Sequence, residues 1–79
     1  MRGNGMIPAI GQPWMGKHIL LLHCSEDNKF LSYYKSDHAP IEPPSFSCAE
    51  SLSRLISIGY AVNRVTPLPG NRLQYLLVL

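Results

Sequence analysis

Only one stretch of the chain, SFSCAESLSRLISIG, carries a helical period, and short alternating or apolar segments flank it on both sides. A single helix of about three turns cannot bury enough surface to fold alone and must lie on something else. Its boundaries are written in the residues. Ser47 with Glu50 three positions on makes a capping box, in which each side chain answers a backbone N–H at the other's position. Cys48, Leu52, Leu55, Ile56 and Gly59 follow at spacings of three and four and share one face, while Glu50, Ser53, Arg54 and Ser57 point away. Gly59 is the expected left-handed C-cap, and Cys48 on the apolar stripe reads as a small buried hydrophobe.

The flanking segments supply the sheet. HILLLHC is apolar, short and followed at once by SEDNK, which predicts a strand and a turn; FLSYYK, from Phe30 to Lys35, predicts a second strand. The loop SDHAPIEPPSF contains three prolines and excludes regular structure. After the helix, Tyr60 to Thr66 has the β-branched content of a strand, PLPGN reads as a turn, and RLQYLLVL closes the sequence. In that last strand Leu73, Tyr75, Leu77 and Leu79 alternate on one face, yet Leu76 and Val78 on the other are also apolar, which places it mid-sheet or at a subunit interface. The expected fold is α+β, a two-layer sandwich with one helix on a mostly antiparallel sheet in the order β-β-α-β-β. Residues 1–16, with four Gly and two Pro, read as a flexible N-terminal arm in which Trp14 packs onto the domain or a neighbour, and residues 17–79 as a single domain.

A chain of 79 residues has a small core, and 46% hydrophobic against 15% charged residues leaves few groups to keep its outside wet. Apolar surface is therefore expected to enter a partner, with a homodimer through a sheet edge or the apolar face near Leu73, Leu76 and Val78 as the simplest remedy. The formal charge of +2 comes from Lys and Arg residues placed singly, without a basic run, so nucleic-acid binding is not the leading expectation. No stretch reads as a signal peptide or membrane helix, and two cysteines are too few for a disulfide framework. These features predict a cytoplasmic protein with Cys24 and Cys48 as free thiols.

His18, His23, His38, Cys24 and Cys48 are the only soft metal ligands, and on strands they diverge: His23 and Cys24 are neighbours and face opposite sides. No metal, cofactor or catalytic residue is expected from them. Cys48 at a first helical turn has the macrodipole to lower its pKa, but its place on the apolar stripe opposes that. Asn63 and Arg64 break the alternation of the third strand. They read as a bulge or solvated positions, or, more sharply, Arg64 with Tyr33 and Tyr34 lines a ligand pocket for an anionic or planar molecule.

From Leu52 to Leu79, LSRLISIGYAVNRVTPLPGNRLQYLLVL resembles the end of a family of small uncharacterised bacterial domains. Their pattern is a leucine-spaced helix, a Gly-Trp pair, a strand, a Pro or Gly turn and a closing YLLV-type strand. Leu52, Leu55, Gly59, Tyr60, Val62, Val65, Tyr75, Leu76, Leu77 and Val78 carry the match; Tyr60 stands where the family has Trp, Ala61 where it often has Glu, and the first half does not align. The resemblance implies a fold and no activity. Small toxin ribonucleases share a similar layout, but they rely on a histidine in the hairpin after the helix, and this sequence has none beyond His38. The expectation is a small non-catalytic, self-associating binding module, with a nucleic-acid-binding or ribonuclease-like protein as the alternative.

Overall fold

Strand β1 (Ile19–Ser25) sends Leu20, Leu22 and Cys24 into the interior and Ile19, Leu21, His23 and Ser25 to the other face, as period-two geometry requires. A computed structural model describes residues 17–79; the arm expected over residues 1–16, with Trp14, lies outside the described residues. The remaining elements are β2 (Phe30–Lys35), α1 (Cys48–Ser57), β3 (Ala61–Leu68) and β4 (Arg72–Val78). They form an α+β fold with one four-stranded antiparallel sheet in the order β2-β1-β4-β3. β4 lies inside the sheet between β1 and β3, where a strand apolar on both faces belongs.

The register sets the layers. Leu20 pairs with Leu77, Leu22 with Tyr75 and Cys24 with Leu73, so these side chains share the face that α1 covers. Leu20, Leu22, Cys24 and Leu77 are buried there with Cys48, Leu55, Tyr60 and Ala39, and Leu52, Ile58 and Leu79 pack around them. Two bulges interrupt the ladders, one opposite His23 and Cys24 on β2 and one between Val62 and Arg64 on β3. Strand β3 runs on through Pro67 and Leu68, past the expected turn at PLPGN. The turn proper is Pro69 to Asn71, with Gly70 and Asn71 at positive φ. A proline is tolerated there because β3 is an edge strand.

Helix α1 departs from expectation in two places. Ser47 Oγ accepts from Glu50 N at 3.1 Å, but the Glu50 carboxylate turns to Arg54 one turn on, at 3.3 Å, so half of the box forms. Ile56 is half exposed, and Ser51 takes the inward position instead, completing the series Cys48, Ser51, Leu52, Leu55. Beyond the C-cap residue Ile58, Gly59 has φ +114°, which favours glycine; a Cβ there would come within 2.6 Å of Leu79 Cδ1, the end of a side chain that would have to shift. The next residue, Tyr60, is buried and donates from its hydroxyl to Pro40 O at 2.7 Å, tying the proline loop to the core. Burial raises the pKa of that hydroxyl.

The cysteines overturn the expectation of free thiols. Cys24 and Cys48 are joined in a disulfide, with Cα atoms 5.8 Å apart. The physical reason is that each lies on the apolar face of its own element and those two faces pack against each other. Beside the bond, the β1–β2 turn clamps the helix start. Asn28, at φ 71°, accepts from Ala49 N through Oδ1 (2.9 Å), donates to Ser47 Oγ (3.3 Å), and accepts from Cys48 N through its carbonyl (2.9 Å).

The cross-link closes a loop of 24 residues, which in the chain-entropy account stabilises by roughly 3 kcal/mol. The purified protein is expected to be lighter than its sequence mass by two hydrogens. A Cys24→Ala/Cys48→Ala double variant should lose about 3 kcal/mol or more in denaturant unfolding; unchanged stability would show that the bond does not hold the helix. Asn28→Ala is expected to cost about 1–2 kcal/mol. Asn28→Asp should cost less, because a carboxylate keeps the acceptor and suits a helix N-terminus.

Candidate interaction surface

Pairing across all four strands orders the face opposite α1 into rows. Ile19, Val78 and Ala61 form the first; Tyr34, Leu21, Leu76 and Arg64 the second; Ser32, His23, Gln74 and Thr66 the third; Ser25, Arg72 and Leu68 the fourth. None of the other described elements, α1 included, packs on this face; the helix lies on the side of Leu20, Leu22 and Cys24. The first two rows are apolar over the central strands and the next is polar. No Lys, Asp or Glu occupies a strand position of the face.

Specific contacts fix its polar half. His23 Nε2 and Gln74 Oε1 lie 3.0 Å apart across β1 and β4, and the Tyr34 ring meets the His23 ring edge-on at 5.4 Å between centroids. Arg64 is exposed in mid β3 and makes no ion pair among the described residues. Arg72, at the start of β4, donates from Nε to Pro69 O at 2.9 Å. Beyond that end lies the β1–β2 turn with Glu26 and Asp27. The Asp27 carboxyl is held below its usual range chiefly by the hydrogen bond that Ser25 Oγ donates, with help from Lys29.

The expected ligand trio is not brought together. Tyr34 and Arg64 share a row but stand on opposite outer strands, roughly 14 Å apart at ordinary strand spacing, with Leu21 and Leu76 between them. Tyr33 faces the helix side, where its ring lies 6.4 Å from that of Phe30. Of the expected interface residues, Leu76 and Val78 are on the open face and Leu73 belongs to the helix side. Among the described residues no three His, Cys, Asp or Glu side chains converge as metal ligands. While the disulfide stands, neither sulfur is a nucleophile.

A second surface lies at the end of the proline loop. Phe46 is 96% exposed on a backbone pinned from both sides. Phe30 N donates to Phe46 O at 2.7 Å, and the buried Ser51 hydroxyl accepts from Ser45 N at 3.0 Å while lying within bonding reach of Ser45 O and Ser47 O. Phe30, Pro44, Ser45 and Arg54 line a shallow concavity beside it. Phe46 carries no local sequence signal; Ser51, which with Ser45, Ser47, Ser53 and Ser57 reads from the sequence as a cap or solvent-facing position, is buried instead, and its spacing of three from Cys48 is the signal for that.

Comparison with family models, curated proteins and solved structures finds no match for the chain. Among the described residues no helix is long and apolar enough to cross a membrane.

Ser51→Ala removes a buried hydroxyl that serves three backbone groups and should cost about 1–3 kcal/mol. Arg64→Ser, on the open face, should change stability by less than about 0.5 kcal/mol. Denaturant midpoints measured side by side test the pair; a larger loss at Arg64 would make it a structural residue.

Proposed function

We propose that the protein is a non-catalytic interaction module whose working surface is the open face of its sheet. The observation that carries this reading is the composition of that face. Interface centres are depleted in Lys, Asp and Glu and enriched in Tyr and Arg. Here Ile19, Leu21, Leu76 and Val78 form an apolar stripe with Tyr34 and Arg64 beside it and no Lys or carboxylate at any strand position.

The sheet edges support the same choice. A bulge and a proline blunt β3, while on β2 a bulge and the bridge from Lys29 to Ser47 do so. Self-association, where it occurs, is then by stacking faces around Leu76 and Val78 rather than by pairing edges. The resemblance to small bacterial domains stays in the proposal as a relationship of fold. The expectation of a cytoplasmic protein carried free thiols as its consequence; with Cys24 and Cys48 joined in the core, an oxidising compartment is the better proposal.

Nucleic acid is the second reading, because Arg64 and Arg72 lie on the open face without an intervening carboxylate. Lys29, Lys35 and Arg54 are elsewhere, so the positive charge does not converge.

Peptides selected from a displayed random library on the wild-type protein are expected to lose binding to Leu76→Thr and Tyr34→Ser variants and to keep it with Phe46→Ser. The reverse pattern would move the working surface to the proline loop. Retention on immobilised single-stranded DNA at low ionic strength, lost with Arg64→Ser, would instead favour nucleic acid.

A further inference from the structure

The rows of the open face match themselves when the face is turned over about one axis and fail to match about another. A two-fold pair of copies brings the same patch against itself. With the axis lying across the strands, Ile19 and Val78 meet the row of Ser25 and Arg72, apolar on polar. With the axis lying along the strands, midway between β1 and β4, every row stays over itself while β1 exchanges with β4 and β2 with β3. Ile19 then lies over Val78 of the other copy and Leu21 over Leu76, apolar on apolar. His23 lies over Gln74 and Ser32 over Thr66, polar on polar.

The flanks single out the second axis, because it sets Tyr34 of each copy over Arg64 of the other. Within one copy these two stand on opposite outer strands with Leu21 and Leu76 between them and do not meet. Both are exposed, and Arg64 makes no ion pair among the described residues. A guanidinium over a tyrosine ring is a favourable cation–π contact, and more so where water is excluded. The face thus holds the complement of its own cation and needs no carboxylate. Aligned sheets stack about 10 Å apart with strand directions within about 30° of each other, a gap that the two side chains span by extending toward one another.

Resting on the reading of the open face as the working surface, we infer that its occupant is a second copy of this chain, stacked face to face about a two-fold axis along the strands, with Tyr34 of each copy on Arg64 of the other. The size sets its strength. Four strands are about 19 Å wide and Ile19 to Ser25 spans about 20 Å, so each copy offers roughly 400 Å² in projection. That is a small interface, and the dimer exchanges with monomer at about micromolar concentration.

Sedimentation equilibrium of the full chain over a dilution series should show monomer passing to dimer and no larger species, since the pair closes on itself. Every substitution counts twice in such a dimer. Tyr34→Arg, which sets arginine on arginine at both flanks, should raise the dissociation constant at least about tenfold. Adding Arg64→Glu to Tyr34→Arg should bring it back to within about threefold of the wild-type value and make it sensitive to salt. Leu76→Thr should weaken the dimer at any salt concentration. A chain that stays monomeric throughout would overturn the second copy and give the face to another protein or to residues 1–16 of this chain; peptide binding lost in Leu76→Thr would then still support the face. A dimer weakened by Leu76→Thr but indifferent to Tyr34→Arg, or not restored by the double variant, would overturn the axis and keep the face. A dimer dissociated by Phe46→Ser and untouched by Leu76→Thr would overturn both readings.

Discussion

The bond between Cys24 and Cys48 is the constraint on which the rest of the structure rests. A ten-residue helix is marginal by itself, and the layer beneath it is small. The cross-link ties the first residue of α1 to a central strand. Around that point three independent pieces of chain meet: the β1–β2 turn through Asn28, the helix start at Ser47 and Cys48, and the end of the proline loop through Ser45 and Ser51. Each contact at this corner fixes two elements at once. The far end of the helix is set by Gly59 and by Tyr60, whose hydroxyl reaches back to Pro40 within the same loop, and the loop's first residue, Ser36, is bonded to Ile19. The loop is thus held at both ends although its prolines allow it no regular structure.

With one helix fixed over the two central strands, the geometry of what remains follows. Four strands are roughly twice as wide as a helix, so Val62 and Val65 on β3 stay partly exposed beside α1, on the covered side. The other side receives no described element. Bulges, a proline and the short bridge at Ser47 discourage further strand pairing. An open, largely apolar face between blunted edges is therefore a consequence of the same arrangement that makes the core.

Much of this was legible in the sequence. Local signals, each complete within a few residues, identified the helix and its cap at Ser47, the strands, and the interior place of RLQYLLVL. What failed depended on relations between distant elements. The disulfide was misjudged by a rule about counts: two cysteines make no framework, but one bond needs only two apolar faces that meet. Cys48 was already placed on the helix stripe, and Cys24 falls in phase with Leu20 and Leu22. The grouping of Tyr33 with Tyr34 failed for a reason that alternation itself supplies, since neighbours on a strand face opposite sides. Arg64 was separated from them by the strand order, which no local pattern reveals.

The low charge content also takes on a different meaning once the residues are placed. Fifteen per cent charged residues, read as composition, suggested an outside thinly wetted everywhere. In the structure Glu26, Asp27 and Lys29 gather in the β1–β2 turn, Asp37 and Glu42 in the proline loop, Glu50 and Arg54 on the outer side of α1, and Lys35 on the helix side of β2. The open face is no poorer in charge than the chain as a whole; what sets it apart is the kind of charge, since Arg64 and Arg72 are the only formal charges at its strand positions. Composition averages over every surface, whereas placement separates one face on which both charges are arginine and Ile19, Leu21, Leu76 and Val78 form an apolar stripe between them and Tyr34.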